Sequence, residues 1–487
     1  HPGCVLVPDW QFQWGPSSAT DPGGSFLGLA GAPWTTFSSP TNGSGVTTAQ
    51  VDVTGVGGRI WVREALKPGF LTFSYDGDND NNVTAEIYCS TDGLNYDNYD
   101  YVDAPVGGQT YHCVAWNVEL GSITILKETV GGDADFTFTG DVAGSLSNGE
   151  SATTLNLLPG TYNSSESFPA GWQLTSITCD DNNSSGNVLT GVATFNVEAG
   201  EDVTCKFVNT KLPTLTLEKT VKNDNGGNAT EADFQGKIDG NNVTWDTPVV
   251  LSVGSHTASE TNLTGYIASD WGGHCAENGS ITLAAGQDKI CTIINDDQPG
   301  KLIVKKEFLN DNGGNNPADS FSFKVNGGTS QFFESDGENE IVVNAGTYSV
   351  LEDAATGYDA SYNNCSNVEV SLGETEICTI TNNDKPGQIT LTKNVLNDNG
   401  GTANATGFGL TVGGTPVVSG ATNSFDSNVA LIINEAGLAG YNFVSITGDA
   451  KCPALLGGTI TLDEGESVNC TITNDDAQVS ITVSPAS

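Results

Sequence analysis

The sequence repeats itself, and this limits the possible folds more than any other feature. The string NDNGG occurs at Asn223–Gly227, Asn310–Gly314 and Asn397–Gly401, at intervals of 87 and 87. A Cys-x-φ-x-Asn pattern (φ apolar) recurs as CVAWN at Cys113, CKFVN at Cys205, CTIIN at Cys291, CTITN at Cys378 and CTITN at Cys470, spaced 92, 86, 87 and 92. A Glu-x4-Gly-aromatic motif also appears five times, as EALKPGF, ESFPAGW, ETNLTGY, EDAATGY and EAGLAGY. Five modules follow, 1–121, 122–212, 213–299, 300–386 and 387–476, with a tail at 477–487. The links TKLP, DDQPG and NDKPG carry proline, which resists continued sheet pairing and stiffens the joint.

Each module reads as strands. The chain has 60 glycines, many Asn, Thr, Ser and Val, and hardly any helical periodicity. The expected fold is all-β, an extended rod of five β-sandwich domains of immunoglobulin-like or related type. Acidic residues outnumber basic ones 59 to 17, for a formal charge of −42, which disfavours nucleic acid and anionic membranes as partners. No apolar run approaches the ~20 residues of a membrane-spanning helix. The opening HPGC, without methionine, is what removal of a secretory signal would leave.

Every closing cysteine has one upstream mate, giving the pairs Cys89–Cys113, Cys179–Cys205, Cys275–Cys291, Cys365–Cys378 and Cys452–Cys470. One bond per module is a secreted-protein pattern, and no spacing is that of a CxxC metal or redox motif; the alternative is free buried thiols. Cys4 is left over, as a free thiol or an intermolecular link.

The opening strands carry a chemical oddity. In LTLEK the side chains of Leu215, Leu217 and Lys219 share a face, because residues alternate along a strand. The same parity places Lys127, Lys306 and Lys393 with the apolar residues of their strands, so four modules put a lysine toward the core. In the closing strands Asn209, Asn295, Asn382 and Asn474 share the face of the cysteine, and Glu166, Glu260, Glu352 and Glu435 each precede the aromatic of the third motif by six residues. An unpaired ion is very unfavourable in a core, so these groups either pair or react. Desolvation lowers a lysine pKa and raises that of a glutamic acid. A neutral amine beside a carboxamide, with a protonated glutamic acid polarising the carbonyl, is equipped to form an amide and release ammonia.

Modules two to five, residues 122–476, resemble the prealbumin-like (transthyretin-like) β-sandwich repeats of microbial surface proteins, relatives of the collagen-adhesin B-type domains. The carriers are the strand-opening Lys, NDNGG, GTY, Glu-x4-Gly-aromatic and the final CTITNDD. The resemblance implies spontaneous isopeptide bonds at Lys127/Glu166/Asn209, Lys219/Glu260/Asn295, Lys306/Glu352/Asn382 and Lys393/Glu435/Asn474. The cystine departs from that family's pattern, and a buried Lys–Glu hydrogen-bonded pair is the alternative.

The first module keeps Glu64 and Asn117 but no lysine occurs before Lys67. It therefore reads as a sandwich without its opening strand, while the tail reads as an opening strand without a sandwich. In VSITV, Val479, Ile481 and Val483 alternate with polar residues, and alignment on ITLTK puts Val483 at the lysine position. The expectation is head-to-tail polymerisation, the tail of one copy filling the first module of the next. The alternatives are a tail that is disordered or the stub of a trimmed chain, or completion of the first module by its own CVLV segment at Cys4–Val7.

Other signals are weaker. DGDNDNN offers Asp76, Asp78 and Asp80 as calcium ligands, against a solvated turn; calcium is the one cofactor the sequence admits. NDNGG reads as a tight turn using Asn and Gly at positive φ. His1, with His112, His256 and His274, invites comparison with copper oxygenases, but His112 is placed on the outward face beside Cys113. The aromatics Trp10, Trp14, Trp34 and LNYDNYDYV read as packing between subunits or as a glycan- or partner-binding face. No nucleophile–base triad or phosphate loop is present, and no enzyme is expected. The functional expectation is a secreted structural subunit of an extracellular filament or surface stalk; the alternative is a monomeric adhesin presenting its first module to a glycan or protein.

Overall fold

The structure, a computed structural model, describes residues 5–19, 28–72, 86–89 and 99–484. These residues form short strands joined by turns, and the helices among them are three single 3-10 turns. The chain folds as two compact units, one of residues 1–216, 248–256 and 281–290, the other of 217–247, 257–280 and 291–487.

In the first unit, the second module shows how the sequence pattern builds a sandwich. Alternation along the opening strand Gly121–Val130 buries Ile123, Ile125 and Lys127 on one face. The closing strand Asp202–Lys211 buries Val203, Cys205, Phe207 and Asn209 in the same way. These two strands lie parallel, with Ile125 opposite Cys205 and Lys127 opposite Phe207, at the centre of a four-stranded sheet. Parallel neighbours need a long crossover, and here the rest of the module supplies it. A second sheet, including Phe136–Gly140 and Gly160–Ser167, closes over the first around Phe136, Phe138, Phe195 and Phe207. The Cys179–Cys205 disulfide ties the closing strand to its antiparallel neighbour Trp172–Cys179.

The first module follows this plan only in part. Its closing strand Cys113–Glu119 pairs antiparallel with Phe70–Thr72, Phe70 opposite Glu119, and with Glu86–Cys89, Cys89 opposite Cys113. Trp172–Cys179 makes the same pairing as one strand in the second module, from Trp172 opposite Lys211 to Cys179 opposite Cys205. The opposite edge is where the modules differ. In the second module the opening strand occupies it; in the first, Cys113–Glu119 has no parallel partner among the described residues. Val5–Val7 are exposed and form no strand, so that part of CVLV does not complete the sheet. Cys4 lies outside the described residues, as do His1 and the calcium candidates Asp76, Asp78 and Asp80.

In the second unit, the fourth and fifth modules repeat the parallel pair. Gly300–Leu309 lies beside Thr375–Asp384 with Lys306 opposite Ile380, and Gly387–Leu396 beside Ser467–Asp476 with Lys393 opposite Ile472. Each pair sits at the centre of a four-stranded sheet. The tail beyond Ala477 makes no strand, and Val479, Ile481 and Val483 are 85%, 84% and 82% exposed.

Candidate functional site

The predicted triads come together in all four repeats. Lysine and asparagine arrive from adjacent parallel strands of one sheet, and the glutamate arrives from the facing sheet, as Glu166 on Gly160–Ser167 or Glu435 on Ala430–Ala436. In the second module Lys127 Nζ donates to Asn209 Oδ1 at 2.9 Å and lies 3.5 Å from Glu166 Oε1. Lys219 contacts Glu260 directly and donates to Asn295 Oδ1 at 2.6 Å. Lys306 meets Glu352 Oε1 at 2.5 Å, and the Asn382 amide donates to the same oxygen at 3.1 Å. In the fifth module the ring of contacts closes. Lys393 reaches Glu435 Oε2 at 2.6 Å and Asn474 Oδ1 at 2.5 Å, while Asn474 Nδ2 donates to Glu435 Oε1 at 2.6 Å.

Burial sets the electrostatics. It pushes the amines of Lys127, Lys219, Lys306 and Lys393 below the usual lysine range, against the pull of the facing glutamates. It likewise raises the Glu166 carboxyl. Were Nζ to lose its proton, it would be placed to attack the carboxamide carbon, with the carboxyl relaying a proton from Nζ to the departing Nδ2; the C–Nδ2 bond would break and ammonia would leave an amide.

One member of each cluster escaped the sequence reading. The ammonium lies over a phenylalanine ring, Phe136, Phe234, Phe321 or Phe408, at 4.0, 4.2, 4.6 and 4.1 Å from the centroid. Such a face attracts a cation and seals it from water. The signal was legible: Phe234, Phe321 and Phe408 each follow their lysine by fifteen residues.

The NDNGG loops prove to be receptors for the last residue of the closing strand. The Asp297 carboxylate accepts from the backbone N–H groups of Asn225 at 2.9 Å and Gly227 at 2.7 Å, and Asp384 and Asp476 repeat this with Asn312/Gly314 and Asn399/Gly401. Burial opposes ionisation of Asp297 and Asp476, but these N–H groups outweigh it and hold both below the usual carboxylate range. Gly226, Gly313 and Gly400 have the expected positive φ; the asparagines do not, and serve instead through Nδ2, which donates to the aspartate carbonyl. Gly227 is glycine because a Cβ would meet Tyr266 Oη at 2.2 Å.

The first module holds an incomplete cluster. The Asn117 amide donates to Glu64 Oε2 at 2.8 Å, while Glu64 Oε1 and Asn117 Oδ1, the acceptors a lysine would use, have no hydrogen-bond partner among the described residues. Burial pushes the Glu64 carboxyl up to about 7, against the opposing pull of Asn117, Trp10 and Arg63. Trp10 is 4% exposed and stacks edge-on with Phe70 at 5.0 Å, so it packs the module's own core and is not part of a contact face. His112 is exposed, as its parity predicted. All five expected cystines are present.

Parallel first and last strands, a facing sheet and a lysine locked between them define a tandem prealbumin-like β-sandwich protein. Models of the prealbumin-like fold domain match residues 123–211 and residues 211–293, 297–382 and 384–472, well over half of the chain. The chain belongs to that family. No curated protein is matched. Among solved structures, the Bacillus anthracis TIE protein is 17% identical, with 75% of this chain and 70% of that chain covered and a TM-score of 0.37. The pilus adhesin SpaC of Lactobacillus rhamnosus GG, in its open conformation, is 10% identical over 78% of this chain and 47% of its own, with a TM-score of 0.22. BcpA, the major pilin subunit of Bacillus cereus, is 12% identical over 55% of this chain and 100% of its own, with a TM-score of 0.18. Likeness at this level carries no functional conclusion.

Proposed function

We propose that this chain is a structural subunit of an extracellular filament or surface stalk, whose copies join head to tail. The carrying observation is a complementarity between its ends. The closing strand of the first module has an unpaired parallel edge among the described residues, and the tail carries three alternating apolar side chains in solvent. An open strand edge is a template for pairing, and a contact between unlike surfaces propagates without closing. The strand that completes the first module is therefore the tail of another copy.

The four lysine clusters serve the same mechanical role. In our reading each becomes an isopeptide bond between the opening and closing strands, the two strands that a pull along the chain loads first. Five disulfides support an oxidising, extracellular setting. No helix among the described residues is long and apolar enough to cross a membrane. The proposed work is structural, with no turnover chemistry.

Electron microscopy of the purified full chain tests this reading. Fibres that disappear when residues 477–487 are removed support it. Dispersed monomers from the full chain oppose it and favour an adhesin whose repeats display the first module.

A further inference from the structure

The joints inside the chain repeat one contact. A hairpin glycine five residues ahead of each closing cysteine donates its N–H to a carbonyl of the incoming linker: Gly200 to Glu119 at 3.0 Å, Gly286 to Lys211 at 2.9 Å, Gly373 to Gln298 at 3.1 Å and Gly465 to Lys385 at 3.0 Å. Eight residues on from these carbonyls stand Lys127, Lys219, Lys306 and Lys393, so the joint fixes the register of the opening strand. The approach is close. A Cβ on Gly286 would lie 1.8 Å from the carbonyl oxygen of Gly131 in the preceding module, and one on Gly465 would lie 3.0 Å from Gly357.

Gly108 occupies this position in the first module. It stands five residues ahead of Cys113 with φ +82°, inside the left-handed region its four counterparts share. Among the described residues nothing lies within 4 Å of where its Cβ would be. The receiving half of a joint is present and open.

The donating half is open at the other end. Ala477 N–H donates to Gly440 O at 2.8 Å, as Gln298 does to Gly265 and Lys385 to Gly357, both at 2.8 Å. Those two earlier glycines abut the next module, since a Cβ on Gly265 would meet Leu372 at 2.6 Å and one on Gly357 would meet Glu464 at 2.3 Å. Among the described residues a Cβ on Gly440 would have nothing within 4 Å, but neither would one on Gly69 or Gly171, at filled joints. The last module differs at Gly400 of its NDNGG loop, which is open where Gly226 and Gly313 sit against Ala345 and Ser427.

We propose that copies meet through this same joint: the Ala477 carbonyl of one copy accepts from Gly108 N–H of the next, and residues 479–484 run parallel to residues 109–114, where the strand Cys113–Glu119 begins. The proposal rests on the head-to-tail reading and adds its register. Ile125 opposite Cys205, Val304 opposite Cys378 and Leu391 opposite Cys470 put Val483 opposite Cys113, and hence Thr482 opposite His112. This shifts the tail by two residues from its alignment on ITLTK, and the lysine position falls on Pro485. The tail thus brings no amine to Glu64 and Asn117. The joint between copies is non-covalent, unlike the proposed staples within them.

The test uses the full chain in a Cys4→Ser background. With Thr482→Cys and His112→Cys together, mild oxidation is expected to give a ladder of covalent multimers on a non-reducing gel. Thr482→Cys with Val114→Cys, displaced by two residues on the same face, is expected to stay largely monomeric. If the displaced pair links in preference, or neither pair links while microscopy still shows fibres, the joint is overturned and head-to-tail assembly stands. Disulfide-linked dimers formed by either single cysteine variant as readily as the ladder forms overturn the joint as well. If the parent chain forms no fibres, head-to-tail assembly fails first.

Discussion

Asn117 Nδ2 donates to Glu64 Oε2 at 2.8 Å in a module that has no lysine before Lys67 to join them. This pair sets the pH dependence of the first module. Burial raises the Glu64 carboxyl from 4.5 to about 7, so the folded module binds a proton that the unfolded chain releases. Stability contributed by the protonated form is complete below about pH 4.5 and is lost as pH rises to about 7. The loss is on the order of 3 kcal/mol. Glu64→Gln keeps the shape without the titration. Thermal melts from pH 4 to 8 are expected to show the first module's transition falling with pH in the parent and level in the variant.

The aspartate that ends each closing strand makes the opposite prediction. Asp297 and Asp476 are held below their usual range, so what they contribute is present above about pH 4 and lost as acid protonates them. Asp476→Ala leaves the Asn399 and Gly401 N–H groups without their acceptor and is expected to cost about 1–3 kcal/mol. Chemical denaturation of the fifth module, followed through Tyr441, would measure it. An unchanged midpoint would remove the loop from the stability account.

The staples are read by mass. With disulfides reduced, the intact chain is expected to be lighter than its sequence by one ammonia for each bond formed. Lys306→Met restores one ammonia. Glu352→Gln, which keeps Lys306 and Asn382 but removes the acid, is expected to restore the same one. A parent mass equal to that of the sequence leaves buried hydrogen-bonded pairs as the whole role of the clusters.

Removing one partner is expected to be more harmful than removing both charges. Lys393→Met strands Glu435, which sits in the core with Asn474, and is expected to destabilise the fifth module by about 3–5 kcal/mol. Lys393→Met with Glu435→Leu is expected to recover much of that loss. Differential scanning calorimetry of the two variants decides the order.

Much of this was legible in the sequence for a physical reason. A strand exposes its two faces alternately, so a lysine in step with Leu215 and Leu217 had to lie inside, and the family resemblance paired it with Asn295 on the closing strand. The disulfides followed from one upstream cysteine per repeat. What stayed hidden depended on distance and direction. The fifteen-residue interval from Lys393 to Phe408 was there to read, but only two sheets facing each other put the ring under the amine, and no alternation within one strand shows that. Asp384 reads as one more acidic residue until folding brings it to Gly314, 2.6 Å away. Trp10 looked like part of a contact face because composition reports aromatics without saying which side they occupy. The proposed joint between Gly108 and Ala477 sets the tail two residues away from its alignment on ITLTK, because motif likeness takes no account of where a strand starts.

The most direct measurement is binding of a synthetic peptide of residues 477–487 to a chain ending at Asp476, followed by isothermal titration calorimetry. The account predicts a one-to-one complex, a higher melting temperature for the first module, and loss of binding when Ile481 and Val483 are replaced by aspartate. No heat of binding, with the truncated chain still forming fibres, would contradict it.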